Sequence, residues 1–279
     1  MITEEVDKFT HVPKERLVLK PPFPEAVKIE TTRRCNLSCE HCANKDAKSK
    51  GDMPSELVHS LIRESYDSGA NRMGLFYLGE PFIDKNIEDY VAFAKDIGVP
   101  YVFLTTNGTL CTPDRLRRVC DAGLDSLKFS IYEDQVDTQL KAIKWLKKYD
   151  GKKPMVYGGT VGEHPKLRKK VEPYVDEFYA LFKYNQGGRF PGLPNIGRID
   201  NPVEPIPCWG MFTEAKVDWE GYMTACCFDF DYDLRVADVK EMSLNEAWHH
   251  PKYQELRRQQ LEGDIKHPRC RMCLKEYIV

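Results

Sequence analysis

A regular alternation of strand-like and helix-like segments, joined by short connections, constrains this 279-residue chain more than any other feature. Residues 26–32 alternate as a strand does. A helical pattern begins at Pro54, with Leu57, Val58, Leu61 and Ile62 on one face, and closes near Gly69. The pattern then repeats. Strand 72–78 ends in Gly79-Glu80-Pro81, and helix 86–97 carries Ile87, Tyr90, Val91 and Ala94 on one face. Strand 100–105 ends in Thr106-Asn107-Gly108 and is followed by helix 113–122. Strand 126–132, helix 135–149, strand 155–161, helix 166–176 and strand 177–184 complete the series. Such alternation predicts parallel strands with crossover helices. Six units are too few for a closed eight-stranded barrel, so the expected α/β fold is an open, partial (β/α)6, TIM-like barrel. Its chemistry should sit at the carboxyl ends of the strands.

Beyond residue 185 the pattern changes. Residues 186–207 are rich in Gly, Pro and Asn and read as a linker. Residues 215–227 read as a hairpin turning at Trp219-Glu220-Gly221, and 243–262 as a helix. The expected division is an N-terminal extension (1–25), the barrel (26–185), the linker (186–207) and a small C-terminal β-hairpin/helix domain (208–279). Hydrophobic residues make up 42% of the chain, enough for a sizeable core. The 41 basic and 43 acidic residues lack the excess that a nucleic-acid partner requires. An acidic, polar N-terminus is no secretory signal, and no apolar run approaches a membrane span. A cytoplasmic location without membrane or nucleic-acid partners is therefore expected.

Ten cysteines are many for a cytosolic chain, where clustered thiols mean metal binding or catalysis more often than disulfides. Cys35, Cys39 and Cys42 form a C-x3-C-x2-C loop directly after the first strand. Three thiolates can ligate three irons of a cubane cluster and leave the fourth open to the amino and carboxylate groups of an amino acid. A structural zinc ion wants four ligands, and His41 could supply the fourth. Cys208, Cys226, Cys270 and Cys273 make a second set of four, suited by spacing to zinc or to a fully ligated [4Fe–4S] cluster. Cys111, Cys120 and Cys227 are left over and read as small buried residues.

The Cys35-x3-Cys39-x2-Cys42 loop, Gly79-Glu80-Pro81, Thr106-Asn107-Gly108 and Phe129-Ser130-Ile131 occur in the order in which the radical S-adenosylmethionine (SAM) superfamily carries its motifs. Residues 25–185 resemble that family's barrel. Leu78 departs from the family's Gly-Gly-Glu-Pro, and His41 stands where an aromatic side chain is usual. The resemblance implies that Cys35, Cys39 and Cys42 bind a [4Fe–4S] cluster whose open iron chelates SAM. It further implies that Gly79 and Glu80 receive the SAM amino group. His41 would lie near the adenine, and Asn107 and Ser130 would bond the ribose or carboxylate. An electron donor such as flavodoxin or ferredoxin is implied as partner. The C-terminal segment, with Ser243 to Trp248 and the closing Cys270-x2-Cys273, resembles the SPASM or shorter twitch appendage. That likeness implies an auxiliary [4Fe–4S] cluster on Cys208, Cys226, Cys270 and Cys273, with Cys226 favoured over Cys227. Strand alternation would turn those two to opposite faces.

By the same resemblance the expected activity is that of a radical SAM oxidoreductase. SAM is split to a 5′-deoxyadenosyl radical that removes a substrate hydrogen atom, and the auxiliary cluster accepts an electron. A sugar or aminocyclitol alcohol is the expected substrate, and maturation of a ribosomal peptide or protein is the alternative. A zinc-stabilised binding module is the alternative from a different class. Tyr77, Tyr157, Asn185 and Arg189, near predicted strand ends, are the candidate pocket residues. No catalytic acid or base stands out.

Overall fold

The computed structural model describes residues 10–183, 185, 186, 188–190, 192, 193 and 207–274. Nine strands form one sheet in the order β6-β5-β4-β3-β2-β1-β7-β8-β9. The first six are β1 (Ala26–Ile29), β2 (Arg72–Gly74), β3 (Tyr101–Thr106), β4 (Ser126–Ser130), β5 (Met155–Val161) and β6 (Glu177–Leu181). They are parallel, each beside the next, as the partial barrel requires. The connecting helices are α1 (Ser55–Asp67), α2 (Ile87–Asp96), α3 (Pro113–Asp121), α4 (Val136–Lys148) and α5 (Pro165–Val171).

Period-2 alternation sets the two faces of the sheet. Val102 and Leu104 on β3, Leu127 and Phe129 on β4 and Val27 and Ile29 on β1 pack into the apolar core. The helices meet them with buried stripes such as Val58, Leu61 and Ile62 of α1. The intervening residues, among them Lys28, Phe103, Lys128 and Tyr157, therefore face the concave side. Pro113 opens α3 behind Thr112, whose side chain accepts a bond from Arg115 N.

The C-terminal segment does not stand apart from the barrel sheet. Strand β7 (Glu214–Val217) pairs in parallel with β1, and β8 (Tyr222–Thr224) and β9 (Arg235–Asp238) continue the sheet in antiparallel fashion. The single helix expected over 243–262 is two, α6 (Leu244–Trp248) and α7 (Pro251–Glu262). Pro251 separates them, because it cannot donate into a preceding turn and it pushes His250 out of helical backbone. A further helix, α8 (Pro268–Leu274), carries Cys270 and Cys273. Residues before β1 lie against this unit: Trp248, fully buried, donates to Pro21 O, Arg257 to Leu19 O, and Arg16 to Phe212 O. Among the described residues no helix is long and apolar enough to cross a membrane. Most of the expected linker, 186–207, lies outside the described residues.

Glu30 and Arg33, both fully buried, join the two halves. Arg33 Nε lies 2.9 Å from both carboxylate oxygens of Glu30. The same carboxylate accepts from Leu78 N, just after β2, at 3.0 Å, and from Trp219 N, in the β7–β8 turn, at 3.1 Å. The Arg33 guanidinium lies over the rings of Tyr77 and Tyr232. Removing one partner strands the other charge inside the protein, so Glu30→Gln or Arg33→Met should each cost about 3–5 kcal/mol in urea unfolding. The double variant Glu30→Gln/Arg33→Met should cost less than the sum of the two.

Candidate active site

The loop carrying Cys35, Cys39 and Cys42 leaves the carboxyl end of β1 and is closed at its base. Arg33 N donates to Gly51 O at 2.9 Å, and Thr32 Oγ1 donates to Asp52 at 2.7 Å. Asn44 Nδ2 ties the loop to Arg33 O, and Cys42 N bonds to Cys39 O at 3.1 Å. The three thiols stand near enough to perturb one another, and burial pushes each above the ordinary thiol range. Among the described residues no three cysteine, histidine or carboxylate side chains stand in closed metal-binding geometry. The donor set nevertheless fits a cubane cluster with one open iron: three thiols and no neighbouring carboxylate ligand, on a loop pinned at both ends.

Asn107 reaches this loop directly. Its Nδ2 donates to Asn36 Oδ1 at 2.9 Å and lies 3.9 Å from Cys35 Sγ, while its Oδ1 accepts from Thr109. These bonds hold the amide against the cysteine loop. Glu80, expected to receive the SAM amino group, is enclosed at the strand ends. It is 2% exposed, and its carboxylate accepts from Thr106 Oγ1 at 2.6 Å, Asn107 N at 2.6 Å and Phe82 N at 3.1 Å. Burial holds its carboxyl above the usual range. Glu80 therefore ties the end of β2 to the end of β3. Gly79 is needed for a close crossing: a Cβ there would fall 2.1 Å from Thr32 O.

A cavity of about 500 Å³ opens beside the cysteine loop at the carboxyl ends of β4 and β5, lined by Cys39, His41, Cys42, Tyr132 and Val161 among others. That volume is typical of sites for small molecules and cofactors. His41 stands there edge-on to Phe190, 5.5 Å between ring centres, as a residue near an adenine could. Ser130 ends β4 close by, and its carbonyl accepts from the buried Gln139. Gln139 also donates to Asn107 O and accepts from Tyr132 N, joining the ends of β3 and β4. Tyr132 shares a hydrogen bond with Cys39, and burial pushes its phenol up. Neither Gln139 nor Tyr132 was expected from sequence. Tyr132 directly follows Phe129-Ser130-Ile131, the one signal that pointed to it.

The second cysteine set gathers five thiols, not four. Strand β8 ends at Thr224, so Cys226 and Cys227 lie in the turn beyond it and do not alternate. Their side chains hydrogen-bond each other. Cys227 also lies near Cys208 and Cys270, and Cys226 near Cys273. Cys227 is thus a member of the group and not a leftover core residue; Cys111 and Cys120, away from it, are buried in the core. Burial pushes Cys208 up to about 11 and Cys270 up to about 12. The hydrogen bond from Cys226 holds Cys227 below the ordinary range, helped by Lys216 and Lys28. Lys216 is fully buried and pairs with Glu214 at 3.2 Å; Lys28 pairs with the same carboxylate at 3.0 Å. Thiolates beside buried cations fit a four-thiolate, anionic cluster.

The four candidate pocket residues divide. The Tyr77 hydroxyl donates to Cys226 O, and Asn185 Nδ2 donates to Met272 O at 2.8 Å, so both anchor the C-terminal unit instead of lining a pocket. Arg189 packs over the rings of Phe190 and Phe230, near Cys42. Only Tyr157 stands on the concave face, paired in register with Lys128.

Two family models match the chain: the radical SAM superfamily over residues 29–139, and an iron–sulfur cluster-binding (SPASM) domain over 208–274. The S-adenosyl-L-methionine-dependent 2-deoxy-scyllo-inosamine dehydrogenase of Niallia circulans is 25% identical over 253 residues, 88% of this chain and 91% of that protein. The crystal structure of BtrN in complex with AdoMet and 2-DOIA superposes with a TM-score of 0.61 at 19% identity, covering 91% of this chain and 94% of BtrN. SuiB of Streptococcus suis, bound to its precursor peptide SuiA, superposes at 0.70 with 14% identity, over 91% of this chain and 70% of SuiB. At these identities the two structures share the fold alone.

Glu80 provides a test of strap against ligand. Glu80→Gln should lower the stability of the protein free of SAM and iron by about 1–3 kcal/mol, because a carboxylate serving three donors becomes an amide with a misplaced N–H. Thermal unfolding of the apo-protein reads the loss; a group that served only SAM would leave it unchanged.

Proposed function

We propose, for a chain that belongs to the radical SAM superfamily and carries a C-terminal SPASM-type iron–sulfur domain, that its reaction is the oxidation of a secondary alcohol on a small polar substrate. It is a radical SAM oxidoreductase, and its cofactors are SAM and two [4Fe–4S] clusters. When bound, these groups supply a 5′-deoxyadenosyl radical to take a hydrogen atom from carbon and an acceptor for the electron left behind. The balance is that of a dehydrogenase. The C–H hydrogen would leave in 5′-deoxyadenosine, the O–H proton would pass to a base, and a bound auxiliary cluster would take up one electron, leaving a ketone.

The observation that carries this reading is the match with the 2-deoxy-scyllo-inosamine dehydrogenase along nearly the whole of both chains. The placement of the two cysteine sets agrees with it. The first follows β1, and the second gathers Cys208 before β7, Cys226 in the turn beyond β8 and Cys270 and Cys273 on α8; that turn meets Tyr77 beyond β2. A substrate in the concavity would lie between them. Asn107, Glu80 and Gln139 would hold the first loop at the strand ends, and the walls of the cavity would keep water from the reacting carbon. We assign Cys35, Cys39 and Cys42 to the SAM-binding cluster. The auxiliary cluster takes its thiolates from Cys208, Cys226, Cys270 and Cys273, with Cys227 within reach. A reduced flavodoxin or ferredoxin would supply the first electron. Modification of a peptide is the second reading, resting on the fold shared with SuiB.

Anaerobic reconstitution tests the assignment. Cys35→Ala should lose roughly half the bound iron and all 5′-deoxyadenosine formation with dithionite and SAM. Cys270→Ala should lose a similar share of iron and still cleave SAM, while ketone formation from a secondary alcohol stops. Colourless protein holding stoichiometric zinc would sink both assignments. A modified precursor peptide without any ketone product would favour the second reading.

A further inference from the structure

The concave face carries a cation that the reaction described so far does not use. Lys128 lies at the middle of β4, between Leu127 and Phe129, both fully buried on the helix side. Its side chain therefore points into the concavity. It stands beside Tyr157 in register, and its ammonium is 5.1 Å from the centre of the Tyr179 ring on β6. Gly159, between Tyr157 and Val161, leaves the room that Tyr179 fills, since a Cβ there would fall 2.8 Å from that ring. Lys28 approaches the same space from β1, over Phe76.

The charges do not cancel. Glu214 neutralises one of its two partners, Lys28 and Lys216, and both of these also lie near Cys227. Glu177 of β6, in register with Tyr157 on the same face, forms no ion pair with Lys128. Burial and the like charge of Lys28 pull its ammonium down to about 8. Among the described residues Lys128 has neither an ion pair nor a hydrogen bond; the rings beside it offer only a face. A desolvated ammonium without a counter-ion costs stability, and a fold keeps such a group where a ligand completes it.

We infer that the substrate presents an oxyanion, a carboxylate or a phosphate, to Lys128. The inference rests on the small-molecule reading above and narrows it to acidic polyols, sugar acids or sugar phosphates. An aminocyclitol would bring a second ammonium against Lys128 and Lys28, where like charges repel. The Tyr179 ring beneath the ammonium, with Tyr157 beside it in register, offers a flat surface suited to a ring.

Equilibrium dialysis against the anaerobically reconstituted holoenzyme with SAM reads the inference, with glucuronate, glucose 6-phosphate and glucosamine as probes. At least one of the two anions should bind more tightly than glucosamine, and the tighter of them separates carboxylate from phosphate. Lys128→Met should weaken that anion about tenfold or more, and Lys128→Arg should restore it to within about threefold. Thermal unfolding of apo Lys128→Met should show a Tm equal to or above the parent, since an unmatched charge is removed. Glucosamine binding as tightly as the anions, no measurable anion binding, or anion affinity unchanged in Lys128→Met would each overturn the inference. Alcohol oxidation is read separately: ketone formed from a neutral or amino sugar would leave the oxidation reading standing while removing the anion, and anion binding without any ketone would do the reverse.

Discussion

The Glu30–Arg33 pair is the interaction on which the arrangement of both cysteine sets depends. It sits one turn of chain before Cys35, fully enclosed, and each carboxylate oxygen is also bonded to a backbone N–H of another element. One of those N–H groups belongs to Leu78, beside Gly79-Glu80-Pro81; the other belongs to Trp219, in the turn that launches β8 toward Cys226. A buried ion pair is a poor source of net stability compared with apolar packing. Its value here is directional. It admits one register of β7 on β1, and it presents the Arg33 guanidinium to Tyr77, whose hydroxyl holds Cys226 O. The first cysteine loop and the second are thereby referred to one carboxylate.

A second constraint operates at the strand ends. Parallel strands expose their last carbonyl and N–H groups where chemistry is to occur, and these need partners that do not fill the site. Glu80, Asn107 and Gln139 meet that need from inside the protein. Each bridges neighbouring strand ends, and Asn107 extends the chain of bonds to Asn36 and the Cys35 sulfur. Side chains that a motif reading assigns to the ligand thus serve to hold the scaffold. What faces the cavity is a different set: the rings of His41 and Tyr132, the thiols of Cys39 and Cys42, and charged side chains such as Asp134 and Lys183.

Legibility from sequence follows the same division. The six βα units were readable because each strand buries one apolar face and each helix one stripe, and both leave a period in the sequence. The cysteine loop was readable because three thiolates at fixed spacing have few other uses. The pairing of β7 with β1 was not, since strand partnership over about 190 residues leaves no periodic trace. The break at Pro251 was visible in principle; the apolar pattern on either side of it runs on and hid it. Cys227 was misplaced because a strand rule was applied to a turn. Tyr77 and Asn185 lie near strand ends and bond the C-terminal unit, since a polar side chain at a strand end is as useful to a neighbouring loop as to a ligand.

The concave face shows why charge has to be read in three dimensions. Lys28, Lys128 and the Glu214–Lys216 pair of β7 are far apart in the chain, and the overall balance of 41 basic and 43 acidic residues gives no hint of a local excess. Folding brings three ammonium groups to one side of a sheet, with Glu214 between two of them and Glu177 in register beyond Tyr157. Two of the ammonium groups lie by the C-terminal thiols, where a thiolate-bound cluster would bring negative charge. The third, on β4, has no ion pair among the described residues. An uncompensated positive charge in a partly desolvated cavity raises the affinity of the site for anions and lowers it for amines, whatever the reaction performed there. The fold and the cysteines therefore speak to the chemistry, and the lysine on β4 speaks to what the chemistry is done upon.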